Sequence, residues 1–479
     1  MLTSPSHITS TPNAPAQDTP AQTTPAQTTP AHDTSMPKTS RDPVWRVVGG
    51  SLAAGFVAAL VLTLGVFGGA PEPVITGCAL LAFAGGWALL ALLTARFTSH
   101  SQRWAWAPAA VMAAAGLTLV TTQPGDGALD AAGWVWPPIM VFLAVWMFVR
   151  VRRGFAGRVR WLLYPVVLSL AIASVGAMFE TAMRGHDDST YAAPGTLYDV
   201  GGQRLHLSCT GTGRPTVVLE SGLGGMSASW ARIVGDVNPT TRVCAYDRAG
   251  QGWSDDVDEP QDAAATATDL HTLLQRAGEA GPFVLVGHSA GGPYVMTYAA
   301  RYPDEVAGMV LLDAMSPDEF SDLPGFASEH SMVRRGLGVL PSVARLGVAR
   351  VLPTSMWSSL PEPAASQVAA FSASARGMRN MRDEQSMYPV VFEQAKALTS
   401  LGDTPLVVVT ATESIDQHAE WTDLQARLAA LSTDSDRRIA DATHAGLLDD
   451  AASARISSQA IADVVDAIRT GAPLTSVST

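Results

Sequence analysis

Apolar positions divide the chain into three unlike stretches. Residues 1–43 hold almost none, and a Thr/Pro/Ala/Gln theme repeats through TPAQDTPAQTTPAQTTPAHDT. A segment this polar cannot bury enough apolar surface to offset the entropy of ordering, so it is predicted to be a disordered tail. It lacks the basic start, short apolar stretch and cleavage site of a signal peptide.

Residues 44–182 carry five long apolar runs, at about 47–70, 74–95, 105–122, 132–149 and 161–179. Each approaches the roughly 20 residues that an α-helix needs to cross a bilayer, and none contains Asp, Glu, Lys, Arg or His. Trp45, Trp104, Trp106, Trp134, Trp136, Trp161 and Tyr164 gather at the ends of the runs, where amphipathic rings prefer the membrane interface. Five transmembrane helices are predicted. Without ionisable groups inside the spans, they read as an anchor or small bundle rather than a transporter or proton channel.

Loop charge predicts the orientation. Lys38, Arg41 and Arg46 precede the first span; Arg96 and Arg103 lie between the second and third; Arg150, Arg152, Arg153, Arg158 and Arg160 lie between the fourth and fifth. The intervening loops hold Glu72, and Asp126 with Asp130, and no basic residue. Basic loops stay cytoplasmic, so the amino terminus is expected inside and everything after the fifth span outside, in a protein of the cell membrane.

From about residue 195 to 470 the pattern becomes short β-branched runs, punctuated by Gly, Pro and Asp and later alternating with helical stretches. This predicts an α/β domain. GTLYDVGG and QRLHLSC read as a hairpin, PTVVLESG and TRVCAYD as strands, and PFVLVGHSAGG as a strand entering a helix.

Charge narrows the function. Residues 1–160 hold ten Lys and Arg against six Asp and Glu, and the remainder 21 against 37. So acidic a globular part lacks the clustered cations that phosphate binding needs, and nucleic acid is excluded as a partner. Three cysteines, with no CxxC or Cys/His spacing, predict no metal site.

The chemistry concentrates in Gly287, Ser289 and Gly291, a GxSxG turn between the apolar strand FVLV and the helical PYVMTYAARYP. Glycines at both ends allow the sharp strand-to-helix bend that exposes a serine Oγ. A serine hydroxyl is a weak nucleophile until a histidine accepts its proton. His444, in RIADATHAGLLDD, stands after a candidate last strand and before a candidate last helix; His206 lies on the early hairpin, His271 in a helix, His288 beside Ser289 and His330 in the long stretch that follows.

With SGLGG at Ser221–Gly225 and YDRAGQGWSD at Tyr246–Asp255, these motifs make residues 196–470 resemble the α/β-hydrolase superfamily, in its esterase, peroxidase-like and dehalogenase-like branch. The resemblance implies a mostly parallel eight-stranded sheet, a helical cap between strands six and seven, no cofactor, His444 rather than the other histidines as the base for Ser289, and an oxyanion hole from the backbone amides of Leu223 and Ala290. Ser221 departs from the usual His before the oxyanion residue. Where the family's seventh strand ordinarily ends in an acid, Ser414 stands; Glu413 or Asp416 would serve if the loop shifts, while dehalogenase-like relatives point to Asp313 at the end of strand six, the preferred choice. About 85 residues separate strands six and seven, so the cap is expected at about 316–401. Met332, Met356, Trp357, Phe371, Met378, Met381, Met387 and Tyr388 are candidates to line its cavity or to pack its helices.

The family's strand order also makes Cys209 and Cys244 neighbours, so a disulfide is expected outside the reducing cytosol, with Cys78 left unpaired in the second span. The implied activity is hydrolysis of a small-molecule ester or related acyl substrate through an acyl-serine. A non-catalytic receptor fold, an aminopeptidase, an acyltransferase and a cofactor-free haloperoxidase-like activity stay open. Dehalogenation and epoxide opening are disfavoured, because those relatives carry Asp where Ser289 stands.

Overall fold

In a computed structural model, which describes residues 44–155, 157–257, 259–352 and 357–474, the five apolar runs form helices. They are α1 (Val44–Leu60, continued by a π-helical Val61–Val66), α2 (Glu72–Phe97), α3 (Trp106–Thr122), α4 (Asp126–Gly154) and α5 (Arg158–Thr190). All five are long and apolar enough to cross a membrane. The tail predicted over residues 1–43 lies outside the described residues.

Side chains such as Phe142 and Trp161, each 74% exposed, face outward from the helices, as contact with lipid requires. Helix contacts use small residues instead. A Cβ on Gly55 would meet the Cα of Gly86 at 3.1 Å, and one on Gly116 would meet the Gly77 carbonyl oxygen at 2.7 Å, so glycine lets α1 and α3 each close on α2.

The helices outrun the predicted spans. At 33 residues α5 is roughly 50 Å long, well beyond the roughly 30 Å hydrocarbon layer. The apolar run ends near residue 179, but helical backbone continues through Glu180, Arg184 and Asp187. Likewise α4 begins at Asp126 instead of residue 132, so ionisable residues absent from the apolar runs sit on the protruding helix ends.

The second layer is an eight-stranded sheet in the order β1-β2-β4-β3-β5-β6-β7-β8. Its strands are β1 (Thr196–Asp199), β2 (Arg204–Thr210), β3 (Thr216–Glu220), β4 (Val243–Tyr246), β5 (Phe283–His288), β6 (Val306–Leu312), β7 (Leu406–Ala411) and β8 (Ser435–Ala440). β1 and β2 form the predicted hairpin, and β2 pairs antiparallel with β4; every other pairing is parallel. Helices cover both faces, which is why β3, β5 and β7 are buried along their whole length and read as unbroken apolar runs. Cys209 lies directly opposite Cys244 in the β2–β4 register, and the two form a disulfide; Cys78 is buried in α2 as a free thiol.

Between β6 and β7 the chain forms a helical cap, including Phe326–Leu337, Leu340–Ala344, Val348–Val351, Ala364–Ala373 and Ala375–Ala395. Trp357 and Phe371 pack with Met226 and Val368, and Met387 and Tyr388 with Tyr294 and Phe392. Met332 does not pack into the cap: it is 69% exposed, because Phe326–Leu337 turns His330 inward and Met332 outward. Met356 lies outside the described residues.

The cap rests on the helix ends that carry the acidic residues. Arg345 Nε donates to Glu72 Oε1 (2.5 Å) and its Nη1 to Asp130 Oδ1 (2.7 Å), with Asp126 taking the third position of the guanidinium. Arg350 donates to Glu180 (2.8 Å) and Asp187 (2.6 Å). The arginine-rich turns around Arg96–Arg103 and Arg150–Arg160 join these helices at their other ends. Buried pairs add little net stability, but losing one partner strands its mates at a cost of about 3–5 kcal/mol.

Candidate active site

Strand β5 delivers Ser289. The chain turns from β5 into the helix Gly291–Arg301 with Ser289 at φ 56°, a left-handed conformation costly for a residue with a Cβ. Two neighbours hold the bend, Gly292 N–H and Met315 N–H both donating to the Ser289 carbonyl (3.1 and 2.9 Å). The flanking glycines are steric necessities. A Cβ on Gly287 would lie 2.8 Å from the Gly291 carbonyl oxygen, and one on Gly291 would lie 2.4 Å from that of Glu220.

The next parallel strand, β6, delivers Asp313, also at positive φ (42°) and fully buried. Its carboxylate accepts from His444 Nδ1 (2.6 Å), Ser414 Oγ (2.5 Å), Trp421 Nε1 (2.8 Å) and Ala411 N–H (3.2 Å). Burial alone would push this carboxyl up, but the hydrogen bond and charge of His444, with the Ser414 and Trp421 donors, outweigh it and hold the group below its ordinary value. An ionised carboxylate at Nδ1 keeps the ring proton on that nitrogen and leaves Nε2 free to accept.

The loop after β8 carries His444, and the remaining sequence candidates fall around it. Glu413 Oε2 accepts the His444 backbone N–H (2.7 Å), so it fixes the loop and does not meet the ring. Asp416 is exposed on the helix Thr412–Gln417. Ser414, at the family's usual acid position, donates to Asp313 instead. His288 Nε2 donates to the His444 carbonyl (3.1 Å) and its ring lies 4.6 Å from that of His444. Burial, with the nearby His444, lowers the His288 pKa to about 3, so it stays neutral. Among the described residues, Ser289 Oγ makes no hydrogen bond to His444; such bonds commonly tighten only in the substrate complex.

The loop after β3 lies against the elbow: a Cβ on Gly222 would stand 2.9 Å from the Ser289 Cβ. Among the described residues, the backbone N–H groups of Leu223 and Ala290 donate to no protein acceptor. Ser221 is occupied structurally, its Oγ accepting from Trp230 Nε1 (2.9 Å).

Sequence reasoning missed what pins this loop. Buried Arg248 donates to the carbonyls of Ser221 (2.6 Å) and Gly222 (2.9 Å), pairs with Glu220, and binds Glu384 of the long cap helix (2.8 and 3.0 Å). Glu384 also accepts from Gly224 N–H (2.9 Å), and burial, opposed by Arg248, raises its pKa. Arg248 sat inside the YDRAGQGWSD motif, and a buried arginine requires carboxylate partners; which ones was invisible without the fold.

A family model described as alpha/beta hydrolase fold matches residues 215–451. An uncharacterized protein of Schizosaccharomyces pombe is 29% identical over 283 residues, covering 52% of this chain and 52% of its own length. An uncharacterized vacuolar membrane protein of Saccharomyces cerevisiae is 30% identical over 129 residues, covering 23% of this chain and 20% of its own. The chain thus spans about half the length of the first relative and a fifth of the second. The crystal structure of a DBJA mutant aligns with a TM-score of 0.47 at 20% identity, over 57% of this chain and 99% of that one.

Proposed function

The carboxy-terminal part of the chain belongs to the α/β-hydrolase family, and from that premise we propose that the protein is a membrane-anchored serine hydrolase acting on a carboxylic ester or related acyl compound. The observation that carries the reading is the 2.6 Å contact of Asp313 with His444 Nδ1, beside a serine held at positive φ on a strand-to-helix turn.

Ser289 Oγ attacks the acyl carbon as His444 Nε2 takes its proton. The alcohol then departs with that proton, leaving an acyl-serine, and water repeats the sequence in reverse roles to release the acid. Asp313 stabilises the imidazolium formed in each step, and the amides of Leu223 and Ala290 stabilise the oxyanion. This chemistry draws on the protein's own groups alone.

The acidic helix ends that meet the cap support a hydrolase domain on the extracytoplasmic side of the cell membrane, since the basic turns join the opposite ends. A competing reading, a receptor that keeps the fold to bind an apolar ligand, draws on the unengaged Ser289 hydroxyl. Labelling with a fluorophosphonate probe, followed by a chain-length series of aryl esters, tests the two: a receptor leaves both unreacted.

A further inference from the structure

Away from the elbow, a cavity of about 730 Å³ opens where α2 and α3, packed on each other, face α4 and α5 beneath the cap. That volume lies within the roughly 300–1,000 Å³ of small-molecule sites. Its walls are apolar, including Leu80, Ala115, Leu119, Ala132, Trp136 and Ala177. The lining comes from four helices long and apolar enough to cross a bilayer, running from their apolar stretches to the acidic ends under the cap, and an apolar volume so placed suits acyl chains.

One end of the cavity is polar, with Glu72, Asp130, Arg184 and Arg345. Ion pairs already engage much of it: Arg345 meets Glu72, Asp126 and Asp130, Arg184 meets Asp130, and Arg379, itself paired with Asp256, lies 3.9 Å from Asp126. Glu180 and Asp188 also line the cavity, Glu180 engaged by Arg350 from outside it, so carboxylates outnumber guanidiniums there: an anionic head is disfavoured and a hydrogen-bond donor is favoured. Glu72, only 4% exposed, leaves Oε2 with no hydrogen-bond partner. A buried carboxylate oxygen without a donor is costly, and a ligand hydroxyl would relieve it.

We propose that this cavity binds a neutral, hydroxyl-headed lipid of the acylglycerol class. Its chain lies between Leu80, Leu119 and Trp136, and a head hydroxyl donates to Glu72 Oε2. The site is separate from Ser289 and does not depend on the hydrolase reading.

The full chain, reconstituted in nanodiscs, is irradiated with a photoreactive diazirine monoacylglycerol, and adducts are mapped by peptide mass spectrometry. The proposal expects adducts on cavity-facing peptides of α3 and α4, suppressed by excess unlabelled monoacylglycerol and not by phosphatidylglycerol. Ala115→Phe and Ala132→Phe, filling the cavity from opposite walls, should each cut the adduct by about tenfold or more while thermal unfolding stays near wild type. Should either variant fail to fold, adduct position and competition on the wild-type chain still decide. Adducts spread over outward residues such as Phe142 and Trp161, equal competition by the anionic lipid, or adducts unchanged in both folded variants would overturn the proposal.

Discussion

His444 Nδ1 and Asp313 Oδ2 stand 2.6 Å apart although 131 positions separate them in the chain, one on the loop after β8 and the other at the end of β6. The contact makes Asp313, and not a strand-seven carboxylate, the group that orients the histidine ring. Asp313→Asn is expected to reduce turnover by about three to four orders of magnitude, since an amide at Nδ1 favours the wrong tautomer. Glu413→Gln keeps an oxygen for the His444 backbone N–H, and Asp416 is exposed, so Glu413→Gln and Asp416→Asn should cost far less. Parallel kcat measurements check the ranking, and a larger loss in either of the latter two would move the acid to the loop after β7.

Glu319, fully buried where the cap begins, predicts a pH dependence of stability. Burial, with nearby Asp313 adding to it, lifts its pKa from 4.5 to about 8 despite the N–H donated by Ser316. The folded state therefore holds a proton that the unfolded chain releases above about pH 4.5. The contribution is intact below that pH and is lost as pH rises toward about 8, amounting to on the order of 4–5 kcal/mol. Chemical unfolding across pH 4.5–8 should show wild type losing stability relative to Glu319→Gln, and parallel curves would refute this.

The Cys209–Cys244 disulfide closes a loop of 35 residues between β2 and β4, strands that carry none of the proposed catalytic residues. Chain-entropy arguments give a stabilisation of about 3–4 kcal/mol. Reduction should lower the unfolding temperature more than the activity. Two free thiols in protein isolated without reductant, read by mass spectrometry of non-reduced peptides, would contradict the bond.

Protease added to intact cells or spheroplasts should digest the domain beyond residue 190 while leaving the region before residue 44 protected. Digestion only after the membrane is opened would reverse the assigned orientation.

The parts legible in the sequence were those with a local signal or those that the family resemblance supplied. GxSxG between an apolar strand and a helix marked Ser289, while the resemblance supplied the strand order that placed Cys209 beside Cys244 and the chain position that singled out His444. Asp313 was legible as the end of a buried strand, yet its choice over Glu413 turned on where the loop after β7 runs, which no spacing encodes. Contacts between distant charged residues left only an indirect trace. Arg345 and Arg350 of the cap meet Glu72, Asp126 and Glu180 across more than 150 positions. Bare carboxylates on helix ends, in loops without cations, were the available hint that partners come from elsewhere. Hydropathy misplaced the helix ends for a related reason, because backbone hydrogen bonding carries α5 to Thr190 after its side chains turn polar.

Fluorophosphonate labelling of the purified full chain, wild type beside Ser289→Ala, tests the central claim most directly. The account predicts stoichiometric labelling at Ser289 in wild type, and none in the variant, which should fold with an unchanged unfolding temperature while ester turnover falls by orders of magnitude. Labelling that persists in Ser289→Ala, or a folded wild-type protein that neither labels nor cleaves any aryl ester, would contradict it.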